Sequence, residues 1–184
     1  MIVGGAVLAG GASSRMGRDK AFIEVGGRTL LDGAVNALQG ASADPVVVIG
    51  GDREQVLAAG HAFVPDEYPG EGPLGGILTA LRTLETDLVV VLACDLLHAS
   101  SVAVTSMVGA LAEGDAAVPI VDGRPQWLHA VWHRRSRSVL ERAFAAGERA
   151  PRRAAAGLSV VEILDGSPSW YADADVPADL PTEP

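Results

Sequence analysis

Only one cysteine, Cys94, occurs among the 184 residues. A lone thiol excludes an internal disulfide and suits a reducing compartment, so a cytoplasmic protein is expected. Long hydrophobic runs are missing too. The longest, Leu88 to Cys94, falls far short of the roughly 18 apolar residues that a membrane helix needs, and no membrane partner is expected. The first apolar run has no basic stretch ahead of it and is broken by Gly4-Gly5, so no secretory signal is expected. Positive charge is scarce: 14 Lys and Arg stand against 23 Asp and Glu, a net charge of −9. A nucleic-acid binder must offer phosphates a basic surface, so no nucleic-acid partner is expected. A small phosphate ligand is not excluded, because it needs one local cluster of cations only. No Cys/His cluster supports zinc. His129 and His133 stand in a segment that does not read as helix, so they share no face, and no nucleophile elbow occurs.

What is present is a chain long enough for one α/β domain, with 48% apolar residues to build its core. Valine-rich runs alternate with segments of helical period, the sign of a mostly parallel sheet. Strands are predicted over Ile2–Leu8, Val46–Ile49, His61–Val64, Leu88–Ala93, Ala116–Pro119 and Val160–Leu164. Helices are predicted over Thr29–Leu38, Arg53–Ala59, Gly75–Thr83, Val102–Ala112 and Ser136–Ala146. Gly40, Gly60, Gly114 and Gly147 fall just past helices, where left-handed caps are expected. Trp127–Trp132 allows a further strand after the turn Asp122-Gly123-Arg124-Pro125. Ala150–Gly157 and the tail after Val176 read as loop or linker. The basic run Arg134-Arg135-Ser136-Arg137 reads first as a solvated helix face.

The chemistry concentrates where strands end. After the first run comes Leu8-Ala9-Gly10-Gly11-Ala12-Ser13-Ser14-Arg15-Met16-Gly17-Arg18-Asp19-Lys20. Small residues let backbone N–H groups approach an anion, and Arg15 and Lys20 add full charges where phosphates would lie. Neither common fingerprint fits. For a P-loop, Gly17 comes one residue late and Arg18 stands in place of lysine; G-x-G-x-x-G cannot be laid on these glycines. Asp95 follows the apolar run Leu88–Ala93. A carboxylate there is costly unless paired or bound to metal, and Mg²⁺ prefers one or two carboxylates plus phosphate oxygens. Capping of the next helix falls instead to Ser100 or Ser101. Gly72-Pro73 places proline at a helix start, while Gly75 and Gly76 in that first turn imply close approach of a ligand or of a packed neighbour.

These motifs resemble the molybdenum cofactor guanylyltransferases, within the nucleotidyltransferase superfamily. The match lies in Leu-Ala-Gly-Gly followed by Ser-x-Arg-Met-Gly-x-Asp-Lys, in Gly-Pro-Leu-x-Gly at Gly72, and in the aspartate ending the fourth strand. The resemblance implies a Rossmann-like, single-domain, three-layer α/β/α sandwich over 1–184, with a nucleotide half of about 1–95 and an acceptor half of about 96–180. It implies GMP transfer from GTP to the phosphate of Mo-molybdopterin, with pyrophosphate released and Mg²⁺ as cofactor. Lys20, Arg15 and Asp95 would be catalytic. Leu8, Ala9, Gly10, Gly11, Lys20, Asp66, Gly75 and Asp95 would bind nucleotide. Gly10 speaks for guanine, since cytidylyl-transferring relatives carry alanine there. Gln126 resembles the start of an acceptor-side motif, with Trp127 replacing its proline. The tail motif Asn-x-Asn-Thr-Pro has become Asp173-Ala174-Asp175-Val176-Pro177. Asp175 is a candidate for metal or acceptor contact, although acidic tails are usually solvated. Transient contact with cofactor-delivery proteins or apo-molybdoenzymes is also implied. CTP as donor, another phosphorylated acceptor, and a non-catalytic nucleotide-binding regulator remain open.

Overall fold

Period-two alternation sorts strand residues between two apolar faces, which is what a sheet covered by helices on both sides requires. In the computed structural model, which describes residues 1–10 and 20–174, β1 (Val3–Leu8), β4 (Val46–Ile49) and β6 (Leu88–Ala93) show this plainly. Val7, Val48, Leu88, Val90 and Leu92 face one core, with residues of α1 (Leu30–Gly40), α2 (Arg53–Ala58) and α4 (Ser101–Ala110). Ala6, Val47, Ile49, Val89 and Val91 face the other, with α3 (Pro73–Thr83), α5 (Arg137–Ala145) and α6 (Pro151–Ala154). The result is the expected three-layer α/β/α sandwich.

The remaining strands are β5 (Phe63–Val64), β7 (Ala116–Val121), β8 (Arg124–Pro125), β9 (Ala130–His133) and β10 (Val160–Ile163). The sheet runs β10-β7-β9-β6-β1-β4-β5, with β8 paired to β7. β9 lies antiparallel between β6 and β7, and the other strands of that path run parallel. The chain leaves β1 toward β4 and β5, then crosses back to β6 on β1's other side. The strand order therefore reverses beside β1, where open α/β sheets place ligands beyond the carboxyl edge.

Several expectations need correction. Ala150–Gly157 is not a linker: it forms α6 and a 3-10 turn over Ala155–Gly157. Pro151 starts the helix and Ala154 and Ala155 are buried, but four residues are too few to display a period. Gly60 and Gly147 adopt the left-handed conformation, whereas Gly40 and Gly114 do not. Their smallness serves packing instead, since a Cβ would lie 3.1 Å from Ser101 Cβ at Gly40 and 2.9 Å from Val161 Cγ2 at Gly114. The left-handed turns after those helices fall on Ser42 and Ala112. A hairpin of β2 (Glu24–Val25) and β3 (Arg28–Thr29), turned on Gly26 and Gly27, appears without having been foreseen. The arginine run begins a 3-10 turn ahead of α5. Its Arg135 pairs with Asp115 at 2.5 Å and Arg137 with Glu141 at 3.7 Å, at the sheet edge opposite Asp95.

Candidate functional site

Leu8 ends β1, and its carbonyl accepts the Cys94 N–H while Ala9 N–H donates to Ile49 O at 2.9 Å. These bonds draw the ends of β1, β4 and β6 into one edge. Gly10 follows, and Gly11, Arg15 and Asp175 lie outside the described residues. Lys20 opens a 3-10 turn, Lys20–Phe22, anchored by the fully buried Ala21. That anchor brings Lys20 Nζ to 3.3 Å from Asp95 Oδ2, the side chains being 14% and 20% exposed. The two residues stand 75 positions apart in sequence, yet the cation and carboxylate named from motifs meet beyond β1 and β6.

On the other side of β1, Gly50 and Gly51 follow β4 with φ of 72° and 78°. A Cβ at Gly50 would sit 3.1 Å from Gly10 Cα, and one at Gly51 3.0 Å from Ala9 Cβ. This second glycine pair packs against Ala9 and Gly10 and was missed by the sequence reading, although a glycine pair straight after a valine run was its signal. Asp66 faces the same place: a Cβ on Gly10 would lie 3.9 Å from Asp66 Oδ2. The other oxygen, Oδ1, accepts from Tyr68 N at 3.0 Å and sits 3.0 Å from Thr79 Oγ1. Thr79 is fully buried on α3 and also accepts the Glu67 N–H at 3.2 Å. It fixes the turn that aims Asp66, a role hidden in sequence by the apolar run around it.

Gly75 and Gly76 have neighbours that explain them. A Cβ would meet Tyr68 Cβ at 2.8 Å from Gly75, and Leu8 Cδ1 at 3.1 Å from Gly76. The close packing left open by the sequence accounts for both, and it seats the start of α3 against β1.

The hairpin β7–β8 turns on Asp122 and Gly123, both with positive φ. It returns Gln126 to the same edge, since the next strand begins with Ala130 opposite Val91 near the end of β6. Gln126 N donates to Pro119 O at 2.8 Å and its Nε2 to Arg124 O at 3.1 Å. Trp127 packs beside Trp132, ring centroids 5.8 Å apart. His129 precedes β9 and His133 ends it beside Leu88, so the two histidines occupy opposite sheet edges. The His129 ring is 2% exposed, and burial pushes its pKa down to about 4.

Asp173 does not belong to a solvated tail. It pairs in an antiparallel bridge with Leu96 and lies 3.4 Å from His129 Nε2. The acidic-tail reading fails there because Ala174 is fully buried with Ile23, Leu30 and Leu97. Among the described residues no group of three or more His, Cys, Asp or Glu forms a ready metal cage. No helix there is long and apolar enough to cross a membrane.

Comparison with known proteins agrees with this fold. The family model of the MobA-like NTP transferase domain matches residues 5–161. A Chloroflexus aggregans protein named "probable molybdenum cofactor guanylyltransferase" is 34% identical, over 93% of this chain and 83% of its own. A Bacillus licheniformis protein of the same name is 32% identical, over 96% of this chain and 87% of its own. The crystal structure of molybdopterin-guanine dinucleotide biosynthesis protein A from Archaeoglobus fulgidus superposes with a TM-score of 0.76 at 26% identity, covering 97% of this chain and 94% of that one. With the sheet order and these matches in agreement, the chain belongs to the MobA-like NTP transferase domain family.

Proposed function

We propose that this chain transfers GMP from GTP to the phosphate of Mo-molybdopterin, forming molybdopterin guanine dinucleotide and releasing pyrophosphate. The observation that carries the reading is the Lys20–Asp95 pair, 3.3 Å apart beyond the ends of β1 and β6. The names borne by relatives at 32% and 34% identity support the substrates.

An acceptor phosphate oxygen must form a bond to the α-phosphorus while the bond from that phosphorus to the bridging oxygen of pyrophosphate breaks. Both partners are anions. Charge neutralisation and alignment therefore matter more than proton transfer, and the anionic acceptor needs no general base. Lys20 supplies fixed positive charge at the phosphates, and Arg15 is assigned the same task. The backbone from Leu8 through Gly10 and Gly11 cradles the triphosphate, with Gly50 and Gly51 keeping that path clear. Asp66 and the seated start of α3 at Gly75 hold the nucleoside end. Gln126 lies on the acceptor side, where its amide can hydrogen-bond a pterin edge.

Mg²⁺ fits the donor set. An aspartate at 20% exposure, with no cage of three or more ligands around it among the described residues, suits an ion that completes its shell with substrate oxygens and water. Asp95 would hold it, with Asp175 a second candidate ligand. When bound, the ion neutralises phosphate charge and orients an in-line displacement. Lys20, 3.3 Å from Asp95 Oδ2, holds the carboxylate in place before substrate arrives.

The test is incubation with molybdopterin, Mg²⁺ and either GTP or CTP, following pyrophosphate and the dinucleotide product. Product from GTP is expected. Preference for CTP would overturn the base assignment, which rests on Gly10, and no product from either would refute the reaction.

A further inference from the structure

His129 is expensive where it stands. The ring is 2% exposed, and Nδ1 has no hydrogen-bond partner. A buried polar ring left half satisfied is less favourable than an apolar side chain of similar size. Its other nitrogen, Nε2, lies 3.4 Å from Asp173 Oδ1, a buried oxygen, and the two face each other as a close polar contact outside hydrogen-bond geometry. Burial keeps the imidazole neutral near pH 7, and a proton on Nε2 would face the carboxylate.

Asp173 is the middle of a short strap. Ala174 N donates to Asp95 O at 2.9 Å, and Leu97 N donates to Ala172 O at 3.0 Å. These two bonds flank the Leu96–Asp173 pair, so the pair itself is of the non-hydrogen-bonded antiparallel kind, with both side chains on one face. Leu96 is 3% exposed in the core, and Asp173 turns to the same inner side, toward His129. Alternation then places the Asp95 side chain on the opposite face, where Lys20 meets it. The strap thus grips the backbone carbonyl of the residue whose carboxylate is presented to the site.

We infer that His129 is a positioning residue: by holding Asp173 it pins residues 172–174 across 95–97 and so fixes the aim of Asp95. This rests on the reading of Asp95 as part of the transfer site. A displacement of about 1 Å in a reacting group's support can cost up to 10²-fold in rate, so a loosened strap should reach kcat.

The experiment uses the full chain with His129→Leu, His129→Gln, Asp173→Ala and Asp173→Asn. Glutamine places an amide nitrogen near the position of Nε2, and asparagine retains an acceptor oxygen. Hydrogen exchange of the ligand-free proteins is expected to speed about tenfold or more at the Leu97 and Ala174 amides in His129→Leu and Asp173→Ala, while Val131 in β9 stays protected. In the same two variants kcat should fall about tenfold or more with KM for GTP within about twofold. His129→Gln and Asp173→Asn should recover most of both losses. Asp173 has a side chain 36% exposed, so its variants test the pin even where His129→Leu fails to fold. Wild-type exchange at Leu97 and Ala174 in Asp173→Ala would overturn the inference, as would loss of rate through KM alone. Exchange is read without substrate. A wild-type chain that transfers no GMP would refute the proposed reaction, and the exchange comparison would still decide the pin.

Discussion

Thr79 offers a sharp test of how α3 serves the nucleotide edge. Its hydroxyl is fully buried, accepts from Glu67 N at 3.2 Å and lies 3.0 Å from both Asp66 Oδ1 and Gly75 O. Having one proton, it donates to one of those acceptors at a time. Thr79→Val keeps the shape and removes every bond. Leaving a buried donor or acceptor unmatched costs about 1–3 kcal/mol, which for a chain of this size is about 2–4 °C of Tm per kcal/mol. Thr79→Ser keeps the hydroxyl and loses one methyl from a filled site, at about 1 kcal/mol. The two variants should therefore fall close in stability and part in function. Valine frees Asp66 from its aim and should weaken GTP binding about tenfold, as one hydrogen bond's worth of orientation is lost. Serine should bind GTP as the wild type does. Urea unfolding and a GTP titration measure both quantities. Equal GTP affinity in the valine and serine variants would refute the claim that Thr79 positions Asp66.

Removal of the loop cation in Lys20→Ala should lower GMP transfer by about 10²-fold or more, as expected for one preorganised charge donor; a near-normal turnover would remove Lys20 from the chemistry. Gly50→Ala forces a side chain into φ of 72° and sets a Cβ 3.1 Å from Gly10 Cα. Left-handed strain of about 1–2 kcal/mol should appear in denaturation, with weaker GTP binding because the backbone at Gly10 is pushed. Unchanged binding would separate Gly50 from the site. The Glu148 carboxyl is drawn from 4.5 down to about 2, first by its hydrogen bonds to Arg153 and then by the Ala150 and Arg149 amides. A lowered folded value means that this contribution is complete above pH 4.5 and is lost as pH falls toward 2. The stability gap between wild type and Glu148→Gln should accordingly narrow over that window, and a constant gap would contradict the pairing.

The parallel strands are legible in sequence because burial on both faces makes them continuous apolar runs; Leu88–Ala93 has no polar residue to hide it. The meeting of Lys20 and Asp95 at one sheet edge is legible because charged residues stand out just past the apolar runs that end there. The short elements β2, β3 and α6 escape, since they lie outside the valine-rich runs and are too short to show a period. Packing glycines such as Gly114 resemble capping glycines until the neighbouring side chains are seen. Thr79 and His129 look like minor interruptions of apolar segments, and their meaning depends on partners 13 and 44 residues away, Asp66 and Asp173. Sequence order conceals such pairs, whereas the crossover from β5 back to β6 and the return of the C-terminal strap create them.

Asp95 is the residue on which nucleotidyl transfer at this edge most directly depends. Purified Asp95→Ala, assayed with GTP, Mg²⁺ and molybdopterin, should form no molybdopterin guanine dinucleotide. Its unfolding transition should stay near that of the wild type, since the carboxylate is paired at a partly exposed edge. Dinucleotide formation at an undiminished rate under saturating Mg²⁺ would contradict the assignment of this sheet edge as the site of nucleotidyl transfer.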